Sequence, residues 1–211
     1  MRLLEKLPTN CCNCRVLKRL TDLLLAILLI SLLSPLMVVI ALLVLFSGRG
    51  GVFYSQSRVG QHNTDFKVLK FRTMKPGADR AGLLTVGDRD PRVTRVGRWL
   101  RHYKLDELPQ LFNVVAGQMS LVGPRPEVRR YVDLYSPDQM KVLSVRPGIT
   151  DPASIEFIDE NALLGASDNP EQAYIVQVMP RKLELNLKYL QTANWIADLT
   201  VLLKTVKAIF R

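Results

Sequence analysis

The sequence predicts a predominantly helical α+β protein with one long apolar segment near its start. Three observations support this prediction. Residues 23–46 carry no charge, two short β-like runs flank a turn soon afterwards, and the later sequence places apolar residues at helical spacing. The 211 residues are enough for one globular domain and one membrane element.

The apolar segment is long enough to cross a bilayer. Its only polar side chains are Ser31 and Ser34. As one helix it would be about 36 Å long, against a hydrocarbon core of about 30 Å. Pro35 lies near its middle and cannot donate a hydrogen bond to the carbonyl of Ser31, so we expect a break at Ser34 and Pro35. The two serine hydroxyls can satisfy the backbone groups that this break leaves free.

Basic residues flank the apolar segment on both sides. Arg15, Lys18 and Arg19 precede it, and Arg49 and Arg58 follow it. The positive-inside rule therefore places both ends on the cytoplasmic side. A helix that enters and returns satisfies this pattern, but a kinked spanning helix is equally compatible with the residues alone.

The following segment predicts a β-hairpin and then a helix. Residues 52–56 and 66–73 are β-like, and residues 60–63 between them are typical of a turn. Val93, Val96 and Leu100 recur at helical spacing.

Further helices are predicted in the second half. One should begin at Asp106, which suits a helix N-cap, and end at Gly117. Others are expected over about 137–144, from Pro180 onward, and from Trp195 to the end. The last is amphipathic, so it suits either the membrane surface or packing on the core.

The charge of the chain limits the choice of partners. The formal net charge is +10, which suits nucleic acid, an anionic membrane or phosphorylated ligands. The apolar segment favours the last two, and no nucleic-acid-binding signature is present, so we expect no nucleic-acid partner. Cys11, Cys12 and Cys14 are too closely spaced for a disulfide framework, which indicates a reduced tail.

Adjacent carboxylates at Asp106 and Glu107 are the strongest candidates for chemistry. At a helix start they would point about 100° apart, so one could act as a nucleophile while the other holds Mg²⁺. Arg101 and Lys104 add positive charge beside them. An isolated Asp-Glu pair at a helix start is nevertheless more often a simple cap.

Several fixed cations accompany this pair. Arg125 lies between Pro124 and Pro126, which restrict its backbone and favour a guanidinium held ready for phosphate. Lys70 and Arg72 should share one face of a strand. Arg146 precedes another rigid turn. An acidic pair among cations on a membrane-bound domain suits phosphoryl transfer, although a rigid surface turn remains the simpler explanation of the proline-rich motif.

Four motifs, in this order, resemble the bacterial sugar transferases, the monotopic phosphoglycosyl transferases. They are KFRTM at 70–74, LDELPQL at 105–111, MSLVGPRP at 119–126 and RPGIT at 146–150. The resemblance runs from about Lys18 to the C-terminus. It implies an N-terminal tail at 1–17, a re-entrant membrane helix at 18–47 and a cytosolic catalytic domain at 48–211 with interfacial amphipathic helices.

The resemblance also implies an activity. Asp106 would attack the sugar-proximal phosphate of a UDP-sugar, release UMP and form an aspartyl intermediate, from which polyprenyl phosphate would take the sugar phosphate. Glu107 would bind Mg²⁺. Arg101 and Arg125 would contact phosphates, with Lys70, Arg72 and Arg146 assisting. The expected location is the cytoplasmic face of the bacterial inner membrane.

One segment departs from the family pattern. Many members continue after RPGIT with a Gly-Trp-Ala-Gln-like sequence, whereas Asp151 and Pro152 follow here. The identity of the sugar therefore does not carry over, and the sequence does not indicate the oligomeric state. A rival hypothesis is a non-catalytic scaffold that holds anionic lipid by charge. Another is an enzyme that transfers the sugar alone and releases UDP.

Overall fold

The computed structural model describes residues 12–78 and 90–209. Helices dominate in this part of the chain, and the strands form two small sheets. The helices are α1 Cys12–Phe46, α2 Arg95–His102, α3 Gln110–Val115, α4 Arg129–Val132, α5 Pro152–Glu156, α6 Glu160–Gly165, α7 Pro170–Ala173, α8 Met179–Thr192 and α9 Trp195–Ile209. The strands are β1 Phe53–Val59, β2 Asp65–Phe71, β3 Ser120–Val122 and β4 Gly148–Thr150. Cys11 lies outside the described residues.

The predicted apolar helix is confirmed as α1. Among the described helices it is the one long and apolar enough to cross a membrane, over Val16–Phe46. The helix continues through Pro35. The hydroxyl of Ser34 donates a hydrogen bond to the carbonyl of Ser31 at 2.9 Å, the carbonyl that Pro35 leaves unpaired. The expected local compensation is therefore present, and the break expected at Ser34 and Pro35 stays a prediction.

Both ends of α1 are fastened to the rest of the protein. Near the start, Arg19 donates to the carbonyl of Val114 at 2.8 Å, and the hydroxyl of Ser120 donates to the buried carboxylate of Asp22 at 2.7 Å. Near the end, Val44 is fully buried in a cluster with Phe71 and Leu100. None of residues 27–36 is buried. The middle of α1 therefore lacks the close packing that holds its two ends.

The predicted hairpin is confirmed as β1 and β2. The strands are antiparallel, and Phe53 pairs with Phe71 while Val59 pairs with Asp65. A short 3-10 turn at Gln61–Asn63 connects them. The register places Tyr54 opposite Lys70. Lys70 lies on β2, the strand that contacts α3 and the turn at Leu105–Glu107.

The proline-rich motifs meet in a second sheet. Strands β3 and β4 are parallel, with Ser120 opposite Gly148 and Val122 opposite Thr150. The backbones approach so closely that a Cβ atom on Gly148 would lie 2.1 Å from the backbone nitrogen of Gly123. A glycine at position 148 is therefore required for this pairing, which brings the segment around Arg125 beside Thr150.

The helix predicted to begin at Asp106 is wrong in its start. Leu105–Glu107 forms a single 3-10 turn, and α3 begins at Gln110. Lys104 before the turn has a left-handed backbone with φ of 55°. Pro109 has no N–H for the carbonyl of Leu105, which instead accepts from the N–H of Leu108 at 3.3 Å. Asp106 consequently lies in a tight turn and does not cap a long helix.

The remaining predicted helices are present, with one exception in type. Helices α2, α8 and α9 match the predicted segments, but residues 139–144 form a 3-10 helix, Gln139–Ser144. Helix α9 buries Val201 against the main core. Ala197 and Leu202 also pack against this core, whereas several other apolar side chains are exposed, notably Trp195 at 71% and Leu203 at 64%. Thus α9 both packs on the core and presents an apolar surface outward.

Candidate active site

A cavity of about 900 Å³ lies between the β1–β2 hairpin, the 3-10 turn at Leu105–Glu107 and the sheet of β3 and β4. It brings together most of the predicted site residues, namely Lys70, Arg72, Arg101, Asp106, Glu107 and Arg125. Leucines of α1 and apolar residues of α9 line another part of its wall. The cavity therefore has a charged part and an apolar part, and the apolar part includes side chains of the long apolar helix α1.

Glu107 is held by two cations. Its Oε1 accepts a hydrogen bond from Nζ of Lys70 at 2.8 Å and another from Nη2 of Arg125, while its Oε2 accepts from Nη1 of Arg125 at 2.9 Å. Burial alone would raise the pKa of Glu107, but the charges of Arg125 and Lys70 outweigh burial and hold this pKa well below its usual range. Glu107 is therefore ionised at neutral pH.

Asp106 has a different environment from its neighbour. The residue is only 6% exposed, and within the described part of the chain no side chain donates a hydrogen bond to its carboxylate. Burial raises the pKa of Asp106, the positive charge of Lys70 partly offsets this, and the charge of Glu107 raises it further. A buried carboxylate that hydrogen-bond donors leave uncovered retains its lone pairs for attack on an electrophile.

Arg101 is positioned by contacts between α2 and Thr73. The Nε of Arg101 donates to the hydroxyl of Thr73 at 2.9 Å. The backbone N–H of Thr94 donates to the carbonyl of Thr73 at 2.9 Å. Gly97 permits this approach, because a Cβ atom there would lie 2.1 Å from the Thr73 carbonyl oxygen. The N-terminal turn of α2 therefore sets the place of Arg101 beside Asp106, whose charge partly offsets the lowering of the Arg101 pKa by burial.

Arg72 contacts the C-terminal end of α1 and the loop that follows it. Its Nη2 donates to the carbonyls of Val44 at 2.7 Å and Gly48 at 3.0 Å, and its Nη1 donates to the carbonyl of Arg49. Val44 lies in the last turn of α1, where carbonyls lack intrahelical partners, and Gly48 and Arg49 lie in the loop that follows the helix. Arg72 thus holds the C-terminal end of α1 in place. Lys70, two residues earlier in the chain, contacts Glu107 instead.

Arg146 is not brought into the cavity. Its side chain is exposed, and its Nε donates to the carbonyl of Gly117 at 2.9 Å. The rigid turn at Pro147 directs Arg146 toward the loop after α3. The residues that follow Arg146, not Arg146 itself, reach the site.

Asp151 is a site residue that sequence analysis missed. It is 1% exposed, and its Oδ2 accepts from the backbone N–H of Arg125 at 2.9 Å and from Nδ2 of Asn186 at 2.7 Å. Its Oδ1 accepts from the N–H of Ser154 at 2.6 Å, so it also caps α5. Asp followed by Pro is a recognisable helix start, but the link to Arg125 depends on the pairing of β3 and β4.

The site offers limited ligands for a metal. Within residues 12–78 and 90–209, no three His, Cys, Asp or Glu side chains group together as a metal site. Mg²⁺ commonly binds through one or two carboxylates together with substrate phosphates. Glu107 and Asp106 can supply such carboxylates, provided that a phosphate takes over a hydrogen bond of Arg125 or Lys70. The donor set therefore fits a site completed by substrate.

Comparison with known proteins places the chain in a family. Residues 13–211 match the family described as Bacterial sugar transferase, and the chain belongs to this family. It is 37% identical over 196 residues to the UDP-N-acetylgalactosamine-undecaprenyl-phosphate N-acetylgalactosaminephosphotransferase of Aeromonas hydrophila, covering 92% of this chain and 43% of that protein.

Two further relatives differ in length. The chain is 36% identical over 208 residues to the exopolysaccharide production protein ExoY of Sinorhizobium fredii, covering 91% of this chain and 84% of that protein. It is 37% identical over 195 residues to the UDP-glucose:undecaprenyl-phosphate glucose-1-phosphate transferase of Escherichia coli, covering 91% and 40%. The chain thus spans less than half the length of two of these relatives.

Proposed function

We propose that the protein transfers a sugar 1-phosphate from a UDP-sugar to undecaprenyl phosphate and releases UMP, as an early membrane step of polysaccharide or glycoconjugate synthesis. The observation that carries this proposal is a contrast between two buried neighbours. Among the described residues no side chain donates a hydrogen bond to the carboxylate of Asp106, whereas that of Glu107 accepts hydrogen bonds from Lys70 and Arg125. The names of the relatives, which include undecaprenyl-phosphate sugar phosphotransferases, support the same donor and acceptor classes.

The proposed reaction has two steps. A carboxylate oxygen of Asp106 forms a bond to the sugar-proximal phosphorus, and the bond from that phosphorus to the bridging oxygen breaks, so UMP leaves with that oxygen. A phosphate oxygen of the acceptor then attacks the same phosphorus and releases the Asp106 carboxylate. Arg101, Arg125 and Lys70 stabilise the charge on the transferred group by position and electrostatics.

The Glu107 ion pairs change partners in this proposal. When the donor diphosphate enters, Arg125 or Lys70 transfers hydrogen bonds from Glu107 to phosphate oxygens. The freed carboxylate of Glu107 is the proposed protein ligand for Mg²⁺, which supplies charge neutralisation on the diphosphate when bound.

The proposed membrane arrangement is a re-entrant α1 with the domain on the cytoplasmic side. A spanning helix would place its two ends on opposite faces of the bilayer. Here Arg19 near one end and Val44 near the other both contact the same domain, which supports placing both ends on one face. The apolar wall formed by Leu25, Leu28, Leu29 and Leu33 of α1 is the proposed entrance for the polyprenyl chain.

The test measures nucleotide release by purified protein with Mg²⁺ and undecaprenyl phosphate. UDP-glucose and UDP-N-acetylgalactosamine serve as donors, with wild type and Asp106→Asn compared. We expect UMP from wild type alone. UDP as the product would identify a transferase of the sugar alone, and equal UMP release by Asp106→Asn would remove Asp106 as the nucleophile. Retention of biological function by Asp106→Asn would instead support the lipid-binding scaffold.

A further inference from the structure

The cavity extends beyond the catalytic carboxylates along one face of β1. Tyr54, Gln56 and Arg58 alternate along this strand and all line the cavity. Tyr54 lies opposite Lys70, which contacts Glu107. Arg58 lies four residues farther, which at about 3.3 Å per residue is about 13 Å along the strand. The cavity wall thus runs from the catalytic end to a second group of polar side chains.

This second group is called the Glu127 cluster. It comprises Arg58, Glu127, Tyr135, Phe157, Tyr174 and Lys182, all of which line the cavity. Glu127 Oε1 accepts from Nη1 of Arg58 at 2.8 Å, and Glu127 Oε2 accepts from the hydroxyl of Tyr174. Nζ of Lys182 pairs with Glu160 and lies 5.5 Å from the ring centre of Tyr174. Charged and aromatic side chains therefore occur together at this end.

The charges of the cluster are balanced, whereas those of the catalytic end are not. Arg58 pairs with Glu127, and Lys182 pairs with Glu160. At the catalytic end, five cations line the cavity against three carboxylates, Asp106, Glu107 and Asp151; the cations are Lys70, Arg72, Arg101, Lys104 and Arg125. An anionic diphosphate is therefore drawn to the catalytic end, and a neutral group rich in hydrogen bonds suits the Glu127 cluster.

One polar group of the cluster has no protein partner. The hydroxyl of Tyr135 makes no hydrogen bond to any residue in the described ranges, and Tyr135 is half-buried in the cavity wall. Burial and the nearby charge of Glu127 raise the pKa of Tyr135, so the phenol keeps its proton and remains a donor. A half-buried donor in a cavity wall that no protein acceptor occupies is available to an acceptor on a bound ligand.

We infer that the Glu127 cluster binds a hydroxyl-bearing ring of the donor, with the Tyr135 hydroxyl donating a hydrogen bond to it. The hexose and the ribose of a UDP-sugar share this chemistry, and either extends away from the diphosphate. The inference rests on the proposed function for the identity of the donor. It assigns diphosphate and ring to opposite ends of the inner face of β1.

The test measures equilibrium binding by calorimetry, using the full chain in detergent. The probes are UMP, UDP-glucose and UDP-N-acetylgalactosamine. The variant is Tyr135→Phe, and the matched control is Tyr103→Phe, an exposed tyrosine that does not line the cavity. We expect Tyr135→Phe to weaken binding roughly three- to ten-fold, as loss of one hydrogen bond predicts, with an unchanged melting temperature. Tyr103→Phe should bind as wild type does.

The pattern among probes identifies the ring. Weakened UDP-sugar binding with unchanged UMP binding assigns the hexose, and equal weakening of UMP assigns the ribose. Unchanged affinity of Tyr135→Phe for every probe that wild type binds overturns the inference. Because binding does not require turnover, a wild type that binds but releases no UMP contradicts the proposed function alone. A wild type that binds no probe contradicts both.

Discussion

The carboxylate of Asp151 accepts a hydrogen bond from the backbone N–H of Arg125 at 2.9 Å. Both terminal nitrogens of the Arg125 guanidinium in turn donate hydrogen bonds to the carboxylate of Glu107. The buried Asp151 therefore connects α5 and α8 to the centre of the site through a backbone contact. Its effect on the reaction should pass through the position of the Arg125 guanidinium.

Replacing Asp151 separates capping from positioning. Asp151→Ser keeps a side chain suited to cap α5 but is too short to hold Arg125 and Asn186 together. We expect about a ten-fold loss in kcat, because small displacements of a positioning group are costly to catalysis. Asp151→Asn keeps the shape and should lose less. Kinetics of UMP release checks both.

A double-mutant comparison supplies the control for this prediction. In protein that already carries Arg125→Met, Asp151→Ser should add little further loss, because its effect passes through Arg125. A full additional ten-fold loss would show that Asp151 acts on activity by another route.

Lys70→Met should change the pH dependence of the first step. Lys70 favours the ionised form of Asp106, whose pKa is already raised by burial. Without Lys70 that pKa rises further, and in the proposed mechanism Asp106 must be ionised to attack. The acidic limb of kcat/KM for the donor should therefore move to higher pH. Lys67→Met, on the same strand but outside the cavity, should leave the limb in place.

Arg72→Met tests whether Arg72 secures α1 or binds phosphate. Arg72→Met removes the donor to the carbonyls of Gly48 and Arg49 and one of the donors to the carbonyl of Val44. We therefore expect the free energy of unfolding to fall by about 3 kcal/mol. Thermal unfolding in detergent measures this, and KM for the donor should stay the same. Exposed Arg98→Met is the control. An unchanged melting temperature with a raised KM would restore the phosphate role that the sequence predicted.

Gly97→Ala should displace α2. The added Cβ would overlap the carbonyl of Thr73, so the helix must shift and Arg101 must move with it. We expect a loss of about 3 kcal/mol in stability, as for severe overpacking, together with reduced UMP release. Gly51→Ala is the matched control, since its Cβ would lie an ordinary 3.7 Å from the nearest atom. Equal melting temperatures of the two variants would contradict this account of α2.

The sequence predicted those features that local patterns encode. The apolar α1, the hairpin and the amphipathic helices follow from composition and periodicity, and the cations near Asp106 and Glu107 follow from motif order. The contacts of Arg72 with the end of α1 could not be predicted in this way. Strand alternation predicts which face of the strand a side chain occupies, but not which other segment packs against that face. The tie from Asp151 to Arg125 depends on two parallel strands of three residues each, which are too short to detect from sequence.

The attachment of α1 at both ends has a consequence for its behaviour in different membranes. A helix that spans a bilayer must tilt or deform the lipid when hydrophobic lengths differ. Because Arg19 and Val44 both tie α1 to the same domain, the proposed re-entrant arrangement predicts that the depth of its apolar middle is set by the protein and not by bilayer thickness. The height of Asp106 above the acyl chains should consequently be the same in thin and thick membranes.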